Sequence, residues 1–285
     1  MQGISLRART LPISRVPCVS RTQNSGEEMN RPAIILLTFG AFAACTDAGM
    51  QPVTTPEVAF SHDENAKFAD AAPTRTFDVT VENLTDGGQH FTPPHIAIHR
   101  GALSFFAVGQ PASMGIQQIA ENGNLDPMIN RVSASRHLSS YAVAVSGEGL
   151  EGPLAPGEAV TVPLSANPGS EFVSVVSMLI CSNDGFTGTS GTKLPNTVGE
   201  EIHLYLSAFD AGTEVNTQDF ADLVPPCPVL SGVPSTEPGT GMSDPALAED
   251  GVIQRHEGIG DLGDLTPSLH GWSGPVAKLT VRRTG

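Results

Sequence analysis

From Arg75 onward the sequence predicts an all-β fold, an antiparallel β-sandwich of about eight short strands with one or two short helices and long loops. Three observations predict it. Thirty glycines and 23 prolines in 285 residues interrupt helices throughout. Short runs alternate apolar and polar side chains, the period of a half-buried strand. A hydrophobic content of 39% is enough to bury a core, and only 16% of residues are charged.

The elements follow in order. "RTFDVTVENLT" sets Phe77, Val79 and Val81 against Thr76, Asp78 and Thr80, which predicts a strand over about 75–84. "HIAIHRG" and "LSFFAVG" read as shorter strands. "MGIQQIAENGNLDPMINRV" carries Ile116, Ile119 and Ala120 on one side before an Asn-Gly break, the pattern of a short helix beside the sheet. "SYAVAVSGEG" alternates again, and Pro156-Gly157 turns the chain into a strand over Ala159 to Ala166. "EFVSVVSMLI" and "EIHLYLSAF" read as core strands. Residues 221–250 form a long Pro/Gly-rich loop, and "VAKLTVRRT" is the last strand. One sandwich domain over 75–285 is expected.

The first 74 residues differ in kind. Arg31 precedes the apolar run Ala33 to Ala44, which as a helix spans about 18 Å, too short for a bilayer core of about 30 Å. Residues 29–45 are therefore expected to be a cleaved export signal, with translation beginning at Met29 and residues 1–28 a gene-model extension. "FAAC" resembles a bacterial lipobox with Phe42 in place of the usual Leu, so both a lipid anchor at Cys45 and a simply secreted product stand open. Residues 46–74 are polar and without a period, the composition of a flexible linker. The expected location is the periplasm, the outer membrane as a lipoprotein, or the extracellular space.

The formal charge of −15 opposes phosphate-backbone binding, which requires clustered cations. Beyond residue 45 there are ten basic and 28 acidic residues, a net charge of −18. Nucleic acid is thus not expected as a partner. The same portion retains only Cys181 and Cys227, which an oxidising compartment permits to pair; two free thiols are the alternative.

Two core strands run into acidic loops. "SMLICSNDGFTGT" places Asp184 just past Ile180, and "YLSAFDAGTEVN" places Asp210 and Glu214 just past Phe209. If both loops share one rim, three carboxylates converge. Without a counter-ion they would raise one another's pKa, so such a cluster implies a cation, and oxygen ligands favour Ca²⁺ over Mg²⁺. The spacing alone also fits turns whose acids are merely solvated.

Taken in order, "FDVTVENLT", "FTPPHIAIHRG", "FAVGQPASMGIQQIAENGN", "SMLICSNDGFTG", "FDAGTEVNT" and "HEGIG" resemble the spondin domain of the F-spondin and mindin type over about residues 75–260. The resemblance implies a C2-like β-sandwich with a calcium ion held in loops at one end, and it assigns Asp184, Asp210 and Glu214 as the metal ligands. Animal members tend to carry Asp where Glu214 stands. The function implied is a non-catalytic, exported adhesion or ligand-binding module, expected as a monomer. Its partner would be a protein or glycan at the cell surface, with membrane contact only through a lipid at Cys45.

The rival constellations are weaker. His95 and His99 share a strand face, with His90 near and His256 remote, but zinc would need three or four convergent ligands. No G-x-S-x-G, H-E-x-x-H or phosphate-cradling loop is present. A metal-dependent hydrolase of extracellular polysaccharide or ester is the alternative, against which one Trp and two Tyr offer few sugar platforms. Trp272 is expected to be a packing anchor beside the last strand.

Overall fold

A computed structural model describes residues 73–145 and 152–285. The expected extension, signal and all but the last two residues of the linker lie outside them. In chain order the strands are β1 Arg75–Asn83, β2 His95–His99, β3 Leu138–Val143, β4 Ala159–Ala166, β5 Phe172–Met178, β6 Gly185–Lys193, β7 Glu201–Leu206, β8 Ala208–Asp210, β9 Gln254–Arg255 and β10 Ala277–Arg283. The helices are α1 Met114–Asn122, α2 Asp126–Ser133, α3 Pro226–Ser231 and α4 Pro267–His270. Among the described residues no helix is long and apolar enough to cross a membrane.

Two antiparallel sheets form a sandwich, one in the order β4-β1-β10-β7 and the other β3-β2-β5-β6-β8-β9. The four-stranded sheet is apolar on one face only. Phe77, Val79 and Val81 of β1 point inward with Leu279 and Val281 of β10, meeting Ile96, Ile98, Val173 and Val175 of the opposite sheet. This is the alternation that made β1 legible. The six-stranded sheet is covered on both faces. Its outer side packs Val176, Met178 and Phe186 against Ile116 and Ile119 of α1, Met128 of α2 and the loop residues Phe220, Leu223 and Ile253. A strand buried on both sides has no polar face, which accounts for the near-continuous apolar run in β5.

Several expectations need correction. "LSFFAVG" is not a strand: Leu103–Gly109 is a turn-rich loop whose Phe105 amide donates to Ser190 Oγ at 2.9 Å, and Phe105 is a core side chain of a covering layer. Its apolar content reflects burial, not pairing. The run "EIHLYLSAF" breaks at Ser207, so that β7 pairs with β10 while β8 pairs with β6 in the other sheet. Strand β6 is not announced by the sequence, because "GFTGTSGTK" is mostly Gly, Thr and Ser, with Phe186 its one apolar side chain and no apolar alternation. The long loop at 221–250 contains the Pro-led helix α3. Cys181 and Cys227 are joined in a disulfide, resolving the alternatives left by their spacing.

Candidate metal centre

The acid corner begins at the turn from β5 into β6. Gln89 holds it from below: its side-chain oxygen accepts from the Cys181 amide at 2.9 Å and its Nε2 donates to the Cys181 carbonyl at 2.7 Å. Ser182 Oγ donates to the Leu179 carbonyl at 2.6 Å and accepts from the Gly185 amide at 3.0 Å. A Cβ on Gly185 would stand 2.3 Å from that Oγ, so the turn requires glycine there. These bonds fix Asp184 as the last residue before β6.

Asp210 ends β8 and pairs directly with Gly185, while the amide of Ala211 donates to the Asp184 carbonyl at 3.1 Å. Asp184, one residue before β6, and Asp210, the last residue of β8, are therefore neighbours. The chain then reverses at Gly212, with φ +68°, where a Cβ would meet the Val252 backbone nitrogen at 2.6 Å. The reversal turns the amides of Thr213 and Glu214 onto Asp184 Oδ2, at 2.7 and 3.1 Å, and Thr213 Oγ1 adds a third bond at 3.2 Å. Asp210 accepts from the Gly212 amide and from Asn216 Nδ2, both at 2.7 Å. Glu214 accepts from the Asp244 amide at 3.1 Å.

The three carboxylates predicted as ligands thus share one corner, and all three residues are buried. Among the described residues the salt bridges are Lys278–Glu82 and His203–Glu201, neither at this corner. Burial, then the nearby Asp210 charge, pushes the Asp184 carboxyl up to about 6 against the hydrogen bonds from Thr213 and Glu214. Burial pushes Glu214 up to about 7, with the charges of Glu121, Asp184 and Asp244 acting in the same direction. Asp184 Oδ1 is buried without a hydrogen-bond partner. A buried, unpartnered carboxylate oxygen beside two further acids, with hard oxygen donors and no cation, fits a divalent ion such as calcium.

The corner is not a closed cage. Among the described residues no three carboxylates have oxygens all within 4.8 Å of one another; the triad drawn that close is Cys181, Cys227 and His270. Its two sulfurs are committed to the disulfide, so no thiolate is available to a metal.

Glu121, near the end of α1, is a fourth acid that the sequence pattern does not single out. It is 4% exposed, its Oε1 accepts from Gln117 at 2.9 Å, its Oε2 has no partner, and its charge acts on Glu214. The available signal was an acid directly following Ile119 and Ala120 on the buried side of a helix. Asp244 was likewise hidden in an irregular loop.

The histidines do not converge. His95 is stacked on Phe105 at 5.4 Å, and its burial lowers its pKa to about 4. His99 is hydrogen-bonded through Nε2 to Ser174 Oγ at 2.7 Å. His256 lies at the acid corner instead: burial lowers its pKa, and Asp210 opposes that shift. Trp272 packs against both cores and meets the His256 ring at 5.1 Å.

An antiparallel two-sheet sandwich with buried acids gathered where β6 and β8 meet defines the class of protein: a β-sandwich module with an acidic loop corner. Residues 82–221 match the Spondin_N family model, so this chain contains a spondin domain. Asp184, Asp210, Glu214 and Glu121 all fall inside the match, while Asp244, Trp272 and β10 lie beyond it. No curated protein matches the chain.

Proposed function

We propose that the chain is an exported, non-catalytic spondin module that binds one calcium ion through Asp184, Asp210 and Glu214, with Glu121 as a further carboxylate at the same corner, and serves adhesion or ligand binding at the cell envelope. The observation that carries the metal reading is the buried Asp184 Oδ1, left without a partner among acids that no lysine or arginine of the described residues pairs. Calcium supplies positive charge that a cluster of carboxylates accepts in six- to eight-fold oxygen coordination. The chain's own contribution is to hold Asp184 by three donors from the β8 loop, so that the two loops are already joined.

Export is supported by the Cys181–Cys227 disulfide, which persists in oxidising compartments. No observation favours the hydrolytic alternative. Thermal melting of chelator-treated protein across a calcium titration tests the metal reading. Melting temperature should rise saturably with Ca²⁺ and less with Mg²⁺. An unchanged melting temperature at millimolar Ca²⁺ would remove the metal from the account.

A further inference from the structure

Trp272 is the only tryptophan of the chain. Besides packing inward, it lines a cavity of about 400 Å³ with Asp86, Glu257, Gly258, Ser268 and Ser273. Glu257 and Gly258 also border a second cavity of about 330 Å³ that reaches Asp210, Glu249 and His256. The two openings therefore lie side by side, sharing Glu257 and Gly258.

Their chemistry is one-sided. Asp86 and Glu257 face the first opening, and Asp210, Glu249 and Glu257 the second, with no lysine or arginine lining either. Gln254 lines the second opening while Arg255, the next residue of β9, does not, as strand alternation requires. An anionic ligand would be repelled. A neutral sugar needs donors as well as acceptors, and in the first opening the side-chain donors are confined to the two serines and the indole. An indole beside two carboxylates matches a guanidinium, which stacks flat on the ring while its N–H fork pairs with the acids.

We propose that the cleft beside Trp272 is a docking site for an arginine-bearing segment of a partner protein. The first opening takes the guanidinium, and the second accommodates a neighbouring basic residue. The guanidinium subsite goes beyond the calcium reading and does not depend on it, because the Trp272 opening contains none of Asp184, Asp210 and Glu214; only the second opening borders Asp210.

Fluorescence of Trp272 reports on this site directly. The full chain is titrated with capped Gly-Arg-Gly, capped Gly-Glu-Gly and maltose, in calcium and again in EDTA. Only the arginine peptide should give a saturable change, equal in both buffers and weakened by added salt. The double variant Asp86→Asn/Glu257→Gln should bind about tenfold more weakly or worse while melting like the parent, since both side chains are exposed. The proposal is overturned by no saturable response to the arginine peptide, by an equal response to the glutamate peptide or to maltose, or by full binding in the double variant. Loss of binding in EDTA alone would instead move the site to the metal corner.

Discussion

Asp184 carries opposite demands that substitution can separate. Its Oδ2 accepts three hydrogen bonds, whereas its Oδ1 has none and sits beside the Asp210 charge. Asp184→Asn preserves the accepting oxygen and removes the buried charge. The metal-free variant should be as stable as the parent or more so, by about 1 kcal/mol, while calcium affinity falls tenfold or more. Melting with and without Ca²⁺ shows both signs in one experiment. Glu214, pushed up to about 7 from an ordinary 4.5, makes a second prediction. A carboxyl whose folded pKa is raised stabilises fully below its unfolded pKa and loses that contribution as pH rises through the folded value. Buried His95, His99, His256 and His270 have lowered pKa values and act the other way, losing stability as pH falls below about 6.5. The difference between parent and Glu214→Gln isolates the acid. Without calcium, the parent should lose melting temperature relative to the variant between about pH 4.5 and 7, and saturating Ca²⁺ should abolish or reverse that loss.

At the scale of elements, legibility tracked how many faces of a strand are wet. β1, β4 and β10 alternate because one side meets solvent, and their predicted bounds agree with the structure to within two residues. β6 was invisible because its Gly and Thr residues pack beneath covering loops, where small size substitutes for hydrophobicity. The site followed the same division. Asp184, Asp210 and Glu214 announce themselves by interrupting apolar strands, whereas Glu121 belongs to the buried part of a helix and Asp244 to a loop without any period. The disulfide links two such parts, the β5–β6 turn and α3, across 46 residues. Cys181→Ala/Cys227→Ala should cost about 4 kcal/mol by loop entropy, read by denaturant unfolding. Calcium affinity should fall as well, because Cys181 stands three residues before Asp184 in the same turn.

For the whole molecule, the balance of charge outweighs any pair. The portion beyond residue 45 carries −18, and both salt bridges among the described residues involve partly exposed side chains, where such pairs contribute little. Self-repulsion should therefore make the metal-free protein more stable in salt. Raising NaCl from about 20 to 300 mM, which shortens the screening length from about 20 Å to under 10 Å, should raise its melting temperature by a few degrees. The calcium-loaded protein should respond less. Strand direction adds a constraint of another kind. Thr76 and Gly285 exchange backbone hydrogen bonds at one end of the β1–β10 pair, while Asn83, at the other end, bonds to the Gln89 segment that supports the Cys181 turn. Thr76 and Gly285 thus lie together at one end of β1, whose nine residues span roughly 27 Å to the Asn83 end that braces the Cys181 turn. Immobilising the domain through Thr76 or Gly285, or splicing those positions and reopening the chain elsewhere, would present the acidic corner outward and unobstructed.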